Sequence, residues 1–169
     1  LVRRDELAID ALVETVLRRE HHRLAERGVV VERELRAGQG LLAGDENALD
    51  RVLSTLVENV LRYAAGGKSL RLETSREDEL LVVRVLDRGP GLSPEDCARV
   101  FEAYFRADRS RTEATGGTGL GMYLVKRIVE AHGGSASARP RDGGGLVVEL
   151  RLPALAHRTQ KETVRMAQV

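Results

Sequence analysis

The sequence predicts an α+β domain, a two-layer α/β sandwich in which three main helices cover one face of a mixed, mostly antiparallel sheet. Apolar residues recur at helical spacing in three separate stretches, valine-rich runs lie between them, and glycines close each helical run. A length of 169 residues and 18.6 kDa suits one domain with a single core. Hydrophobic residues at 42% and charged residues at 31% exclude disorder and collagen-like structure for the bulk of it. No apolar run is long enough to span a bilayer and no charged-then-apolar leader opens the chain, so membrane insertion is not expected for the bulk of it. Leu1 in place of Met predicts a fragment or a processed chain.

Each element has its own signal. From Asp10 to about Arg27, Ala11, Leu12, Val16, Leu17 and Leu24 fall on one helical face, and Gly28 ends the run. Val29 to Leu35 alternates and reads as a strand. Asp45 caps a second helix that carries Leu49, Val52, Leu53, Leu56, Val57, Val60 and Leu61 to a stop at Gly66-Gly67. Ser69–Ser75 and Glu79–Asp87 form a hairpin around Arg76-Glu77-Asp78, the second strand being almost continuously apolar, as a central strand is. Ser93-Pro94-Glu95-Asp96 opens a short helix to about Phe101, with a capping serine, a first-turn proline and carboxylates at the positive dipole end. Ala107 to Gly117 is polar and aperiodic, a mobile loop by composition. A third long helix runs from about Leu120 to His132 and closes at Gly133-Gly134. Ser135–Ala138 and Leu146–Leu152 make a last hairpin around Asp142-Gly143-Gly144-Gly145, and past Pro153 the period is lost. The expected division is therefore a domain over 1–153 and a loosely ordered tail over 154–169.

Charge excludes more than it suggests. Lys plus Arg number 27 against 26 Asp plus Glu, a net of +1, so no basic field draws nucleic acid. Aromatic residues are 3% with no Trp, which removes the stacking platforms of single-strand binders. Cys97 is alone, so neither a disulfide framework nor a thiolate metal site is available.

Two glycine segments are decoys. Gly66-Gly67-Lys68-Ser69 ends like a phosphate loop, but Arg62 stands where its first glycine belongs, and it follows a helix instead of a strand. Gly117-Thr118-Gly119-Leu120-Gly121 has Met122 in the third-glycine place of a dinucleotide fingerprint and follows a polar loop. Three features carry more. Asn59, in Glu58-Asn59-Val60-Leu61-Arg62-Tyr63, interrupts an apolar helix, where an exposed polar-face Asn is the plain explanation and an oxygen ligand for Mg²⁺ the functional one. Arg62 lies near it along the helix, in reach of phosphate oxygens. Asp87-Arg88-Gly89-Pro90-Gly91-Leu92 puts a carboxylate at the end of a buried strand, where it needs a donor such as an adenine amine, or else caps a tight turn. Gly116 to Gly121 opens a helix with exposed amides, an anion site at an entropic cost that a plain connection would not justify.

In this order the three features resemble the ATP-binding catalytic domain of sensor histidine kinases, with its Bergerat-type fold, in the superfamily of gyrase, the ninety-kilodalton heat-shock chaperones and the mismatch-repair ATPases. The resemblance runs from about Leu7 to Pro153. Asp87 to Leu92 is similar to the first glycine box, Val100-Phe101-Glu102-Ala103-Tyr104-Phe105-Arg106 to the phenylalanine box, and Gly117 to Gly121 to the second glycine box. It implies that the chain binds MgATP and acts as the catalytic domain of a protein-histidine kinase. Asn59 would bind Mg²⁺, Arg62 would sit by the phosphates and Tyr63 would flank the nucleotide. Asp87 would accept from the adenine amine, with Gly89, Gly91 and Leu92 shaping that pocket. Arg106 would reach the phosphates from a lid spanning about Tyr104 to Thr118, and Gly117, Thr118, Gly119, Leu120 and Gly121 would wrap them.

Two departures qualify the resemblance. Thr55 stands one helical turn before Asn59, where the family commonly has Asn and the hydrolytic relatives and anti-sigma serine kinases have an activating Glu. A threonine is no general base of that kind, which disfavours a serine kinase or self-sufficient ATPase and leaves a non-catalytic nucleotide-binding module as a further alternative. The family's phosphoacceptor is a His followed by an acidic residue, whereas His21, His22, His132 and His157 precede His, Arg, Gly and Arg. The expected partners are thus its own or a cognate helical hairpin bearing the acceptor histidine and a downstream response regulator, with no nucleic acid and no direct membrane contact. The expected place is the cytoplasm, whether or not the whole sensor is anchored in a membrane.

Overall fold

The computed structural model describes residues 5–107 and 117–156. In chain order these form β1 (Asp5–Ala8), α1 (Ile9–Glu26), β2 (Val30–Arg36), β3 (Leu41–Gly44), α2 (Glu46–Asn59), β4 (Ser69–Glu77), β5 (Leu80–Asp87), α3 (Pro94–Arg99), α4 (Gly121–Ala131), β6 (Ser135–Pro140) and β7 (Leu146–Pro153). The main sheet has five strands in the order β2-β4-β5-β7-β6. Only β2 and β4 are parallel, as the α2 crossover between them requires, and the other neighbours are antiparallel. This is the mixed, mostly antiparallel sheet that the sequence predicts.

The helices do what their periodicity foretells. Val13 and Val16 of α1, Val52 and Val57 of α2, and Val125 and Val129 of α4 are buried against Leu70, Leu81, Val83 and Leu150 of the sheet. Asp45 caps α2 by accepting from the Ala48 amide at 3.0 Å, and Ser93 caps α3 by accepting from the Asp96 amide at 3.1 Å.

Among the described residues no long helix covers the opposite face of the sheet. Arg84 donates from Nε to Glu149 at 2.7 Å and from Nη2 to Glu77 at 2.8 Å, and Arg151 reaches the same two carboxylates at 2.7 and 3.2 Å. Register places Val82 opposite Arg151 on this face, and Val82 is fully buried.

Three local details differ from the expectation. The second helix does not run unbroken to Gly66-Gly67: α2 ends at Asn59, a wide π turn covers Val60–Ala64, and a 3-10 turn covers Ala65–Gly67. The first hairpin turns at Asp78-Glu79, not around Arg76, because Arg76 and Glu77 still pair with Leu81 and Leu80. A second sheet of two four-residue strands, β1 against β3, was invisible to periodicity because neither strand is long enough to show a period.

Beyond β7, the Ala154 amide donates to Glu79 at 2.8 Å and the Leu155 amide to Leu41 at 2.7 Å. Residues 157–169 of the expected tail and 108–116 of the expected loop lie outside the described residues. Among the described residues no helix is long and apolar enough to cross a membrane.

Candidate functional site

The carboxyl end of β5 delivers Asp87 into a turn that is packed from two sides. Its Oδ1 accepts from the Gly89 amide at 2.8 Å and from the Leu146 amide at 3.3 Å, while only 9% of the residue remains exposed. Burial raises the titration of this carboxyl above the ordinary aspartate value, and the two amide bonds and the nearby Arg141 only partly oppose it. Both donors fall on one oxygen.

The surrounding glycines are explained by close approach of the protein's own backbone. A Cβ on Gly67 would stand 1.9 Å from the Arg88 carbonyl oxygen, and one on Gly89 would stand 2.5 Å from the Ala64 Cβ. Gly91, at φ 70°, has the Gly145 carbonyl oxygen 2.8 Å from its Cβ position, and Gly145, at φ 103°, has the Asp87 carbonyl oxygen at 2.1 Å. Gly89 and Gly91 therefore let the π-turn segment and the β6–β7 turn press against the Asp87 turn. Two guanidinium groups fasten the same seam. Arg88 Nη1 donates to the carbonyls of Asp142 and Gly144 at 2.7 and 3.1 Å, and Arg141 Nη1 donates to the Asp87 carbonyl at 3.0 Å. Burial, then Arg88 and Arg71, push the Arg141 guanidinium below its usual range.

Sequence reasoning saw Asp142 to Gly145 only as a hairpin turn and missed Arg141, Gly145 and Leu146 as supports of Asp87. The readable signal was the run of three glycines, all of which adopt positive φ here.

The π turn after Asn59 lies between the Asp87 turn and the glycine-opened helix. Ala64 touches Gly89 at one end of it, while the Cβ position of Gly117 lies 2.3 Å from Tyr63 Oη and 3.3 Å from Arg62 Nη1. Arg62 also donates from Nη2 to Glu58 Oε1 at 2.9 Å. A π turn at this point shifts the phase of the helix, a device common at functional sites. Thr55, one turn earlier, donates its hydroxyl to the Arg51 carbonyl at 2.8 Å, and its Cγ2 faces the Cβ position of Gly121 at 3.2 Å.

The start of α4 has a distinctive electrostatic character. α2 and α3 each have a side-chain cap and a first-turn carboxylate, and α1 has Asp10 in its first turn. α4 has neither: Leu120 makes no capping bond and its first turn holds no acidic residue. Gly119, at φ 72°, accepts from the Tyr104 amide at 2.9 Å, so the stretch before α4 is held on the segment after α3. Phe101 is buried in the core, whereas Arg106 is half-buried and lines a cavity of about 290 Å³ with Arg99, Glu102, Tyr104 and Phe105. Leu92 is half-buried and Thr118 is exposed. Gly116 lies outside the described residues.

The geometry brings Arg62, Tyr63 and Gly117 together and sets Thr55 against Gly121, one turn before Asn59. Asp87 and Gly89 stand at the other end of the same segment. Among the described residues no three His, Cys, Asp or Glu side chains converge as a metal set.

Comparison with known proteins places the chain in a family. Residues 44–156 match the family described as Histidine kinase-, DNA gyrase B-, and HSP90-like ATPase. The chain is similar to the sensor-like histidine kinase SenX3 of Mycobacterium tuberculosis (strain ATCC 25618 / H37Rv), at 34% identity over 151 residues, 89% of this chain and 36% of the relative. It thus spans about a third of that protein's length. In structure it resembles full-length ShkA in complex with AMPPNP, at a TM-score of 0.79 and 24% identity over 94% of this chain and 33% of that one. It also resembles the mycobacterial sensor histidine kinase MprB, at a TM-score of 0.76 and 22% identity over 91% of this chain and 99% of that one.

Proposed function

The chain belongs to the histidine kinase-, DNA gyrase B-, and HSP90-like ATPase family, and from that premise we propose that it is the ATP-binding catalytic domain of a sensor histidine kinase. In this reading it binds MgATP and transfers the γ-phosphoryl group to a histidine on a separate helical hairpin. It works in the cytoplasm, and a response regulator receives the group downstream.

The observation that carries the reading is the start of α4, which has no side-chain cap and no acidic residue in its first turn. Amides left unsatisfied at a helix start, with the dipole's positive end behind them, form an anion site. Arg62 and Tyr63 stand against Gly117 just before it. At the far end of the same π-turn segment, Asp87 supplies a buried carboxylate whose Oδ1 is fixed by two amides. An exocyclic adenine amine donating to Oδ2 would offset part of the cost of burying that charge.

The residues present fit a magnesium nucleotide. Asn59 would hold Mg²⁺ through its amide oxygen, and the ion would supply charge neutralisation at the phosphates. Arg62 and the Gly119–Gly121 amides would bind phosphate oxygens, and Arg106 would join them from the segment after α3. In the transfer, an imidazole nitrogen of the partner forms the new P–N bond as the bond to the β-phosphate oxygen breaks, and ADP departs. Little covalent chemistry is required of this chain, whose part is positioning and electrostatic stabilisation. Thr55 supports transfer over hydrolysis, since its hydroxyl is donated within its own helix and it is no general base.

The test is calorimetric titration of ATP into the chain, with and without Mg²⁺, followed by transfer of label from ATP to a matched hairpin bearing the acceptor histidine. Binding and transfer are expected. Absence of ATP binding would overturn the reading, and steady hydrolysis without transfer would favour a self-sufficient ATPase.

A further inference from the structure

We propose that Glu58 is a positioning residue for the phosphate-binding corner, acting through Arg62; the proposal rests on the ATP-binding reading above. Glu58 precedes Asn59, and its neighbour in sequence points to a different part of the helix surface. It meets Arg62 instead, four residues on, where Arg62 Nη2 donates to Glu58 Oε1 at 2.9 Å. The Arg62 guanidinium is a rigid planar fork, so fixing one amine orients the others. The second amine, Nη1, lies 3.3 Å from the Cβ position of Gly117, at the edge of the glycine segment that opens α4.

The same side chain therefore has one amine on Glu58 and the other facing the place where phosphate oxygens would lie. Without Glu58, a long exposed arginine would spread over many rotamers, and ordering it would oppose phosphate binding. Glu58 needs no contact with the nucleotide to act in this way. An amide at this position keeps an oxygen that accepts from Nη2, so Glu58→Gln preserves the aim of Arg62 while removing the charge.

The experiment is titration of ATP and of adenosine into the unaltered chain, Glu58→Ala, Glu58→Gln, Arg62→Ala and the Glu58→Ala/Arg62→Ala double variant, with melting temperatures taken beside. An exposed pair of this kind is worth up to about fivefold in an equilibrium. Glu58→Ala is expected to weaken ATP about three- to fivefold with adenosine unchanged. Glu58→Gln is expected to restore most of the loss, and the double variant to bind ATP no worse than Arg62→Ala alone. The positioning role is overturned if Glu58→Ala binds ATP as tightly as the unaltered chain or more tightly, or if ATP and adenosine weaken together. Failure of the unaltered chain to bind ATP at all would instead overturn the functional reading, and this proposal with it.

Discussion

The backbone amide of Tyr104 donates to the carbonyl of Gly119 at 2.9 Å, and both residues sit in the left-handed region, at φ 63° and 72°. This clasp brings together two points of the chain on either side of the stretch that includes residues 108–116. Left-handed backbone costs a non-glycine residue roughly 1–2 kcal/mol, so Tyr104 holds that conformation only because its surroundings demand it. Gly119→Ala adds the same strain at the other half of the clasp and sets a methyl 2.9 Å from the Tyr104 Cα. The expected outcome in thermal unfolding is a loss of about 1–2 kcal/mol, equivalent to several degrees for a domain of this size. ATP affinity should fall alongside it. An unchanged melting temperature would show that the clasp is not under the strain described.

Asp87→Asn should cost roughly 1.5–3 kcal/mol of ATP binding, the range for a hydrogen bond to a charged group. Its pH dependence has a definite sign. Burial raises the folded titration of Asp87, so its ionised form disappears at a higher pH than for an ordinary aspartate. ATP affinity should therefore decline on acidification before exposed carboxylates titrate, and the Asn variant should lack that decline. Calorimetry across the acid range checks both statements, and unchanged affinity in the variant would remove Asp87 from the adenine contact.

Asn59 ends α2 and is only partly exposed, with the π turn beginning at the next residue. If its amide oxygen holds the ion, Asn59→Ala should abolish the Mg²⁺ dependence of ATP binding while adenosine binding persists. Titration of both ligands with and without Mg²⁺ decides it. A retained dependence would put the ion on other ligands.

The ion pairs centred on Arg84 predict a different pH response, in stability. Arg84's hydrogen bond holds Glu77 below the usual carboxylate range despite some burial. Burial works to raise Glu149, but the hydrogen bonds from Arg151 and Arg84 outweigh it and leave this group low as well. Lowered folded values mean stability that is present above the ordinary glutamate value and is lost as pH falls through the folded ones. Unfolding followed by denaturant at descending pH should show that loss. Arg84→Met, which keeps an apolar stem and removes the cation, should reduce its slope. A slope equal to that of the unaltered chain would show that these pairs contribute nothing measurable.

Much of this was legible in the sequence because long elements carry long signals. The apolar faces of α1, α2 and α4, the Asp45 and Ser93 caps and the buried β5 ending in Asp87 all follow from spacing and residue type. Strands of four residues such as β1 and β3 carry no period, and only the pairing of Leu7 with Leu42 in three dimensions reveals them. The π turn was hidden because Val60 and Leu61 are apolar in either helical geometry. Gly89 illustrates a subtler failure. The resemblance implies that it shapes an adenine pocket, and the sequence holds no sign that Ala64, twenty-five positions earlier, occupies the space a Cβ would need. Nothing local to Arg141 shows that its guanidinium ends on the Asp87 carbonyl, since that contact depends on how the last hairpin folds back on the sheet.

That last contact yields the sharpest prediction about how the site is supported. Arg141 Nη1 donates to the Asp87 carbonyl at 3.0 Å, and its charge is one of the influences that restrain the rise in the Asp87 titration. Arg141→Met keeps the apolar stem and removes both. With that restraint gone and burial unopposed by a cation, Asp87 should titrate at a still higher pH, so the acid decline in ATP affinity should move upward. At a pH where Asp87 stays ionised the variant should lose little affinity, because Gly89 and Leu146 still hold Oδ1. A merely structural role for Arg141 would weaken ATP binding uniformly with pH. ATP titrations of both proteins across the acid range, with Asp87→Asn as the flat reference, separate a shifted decline from a uniform loss.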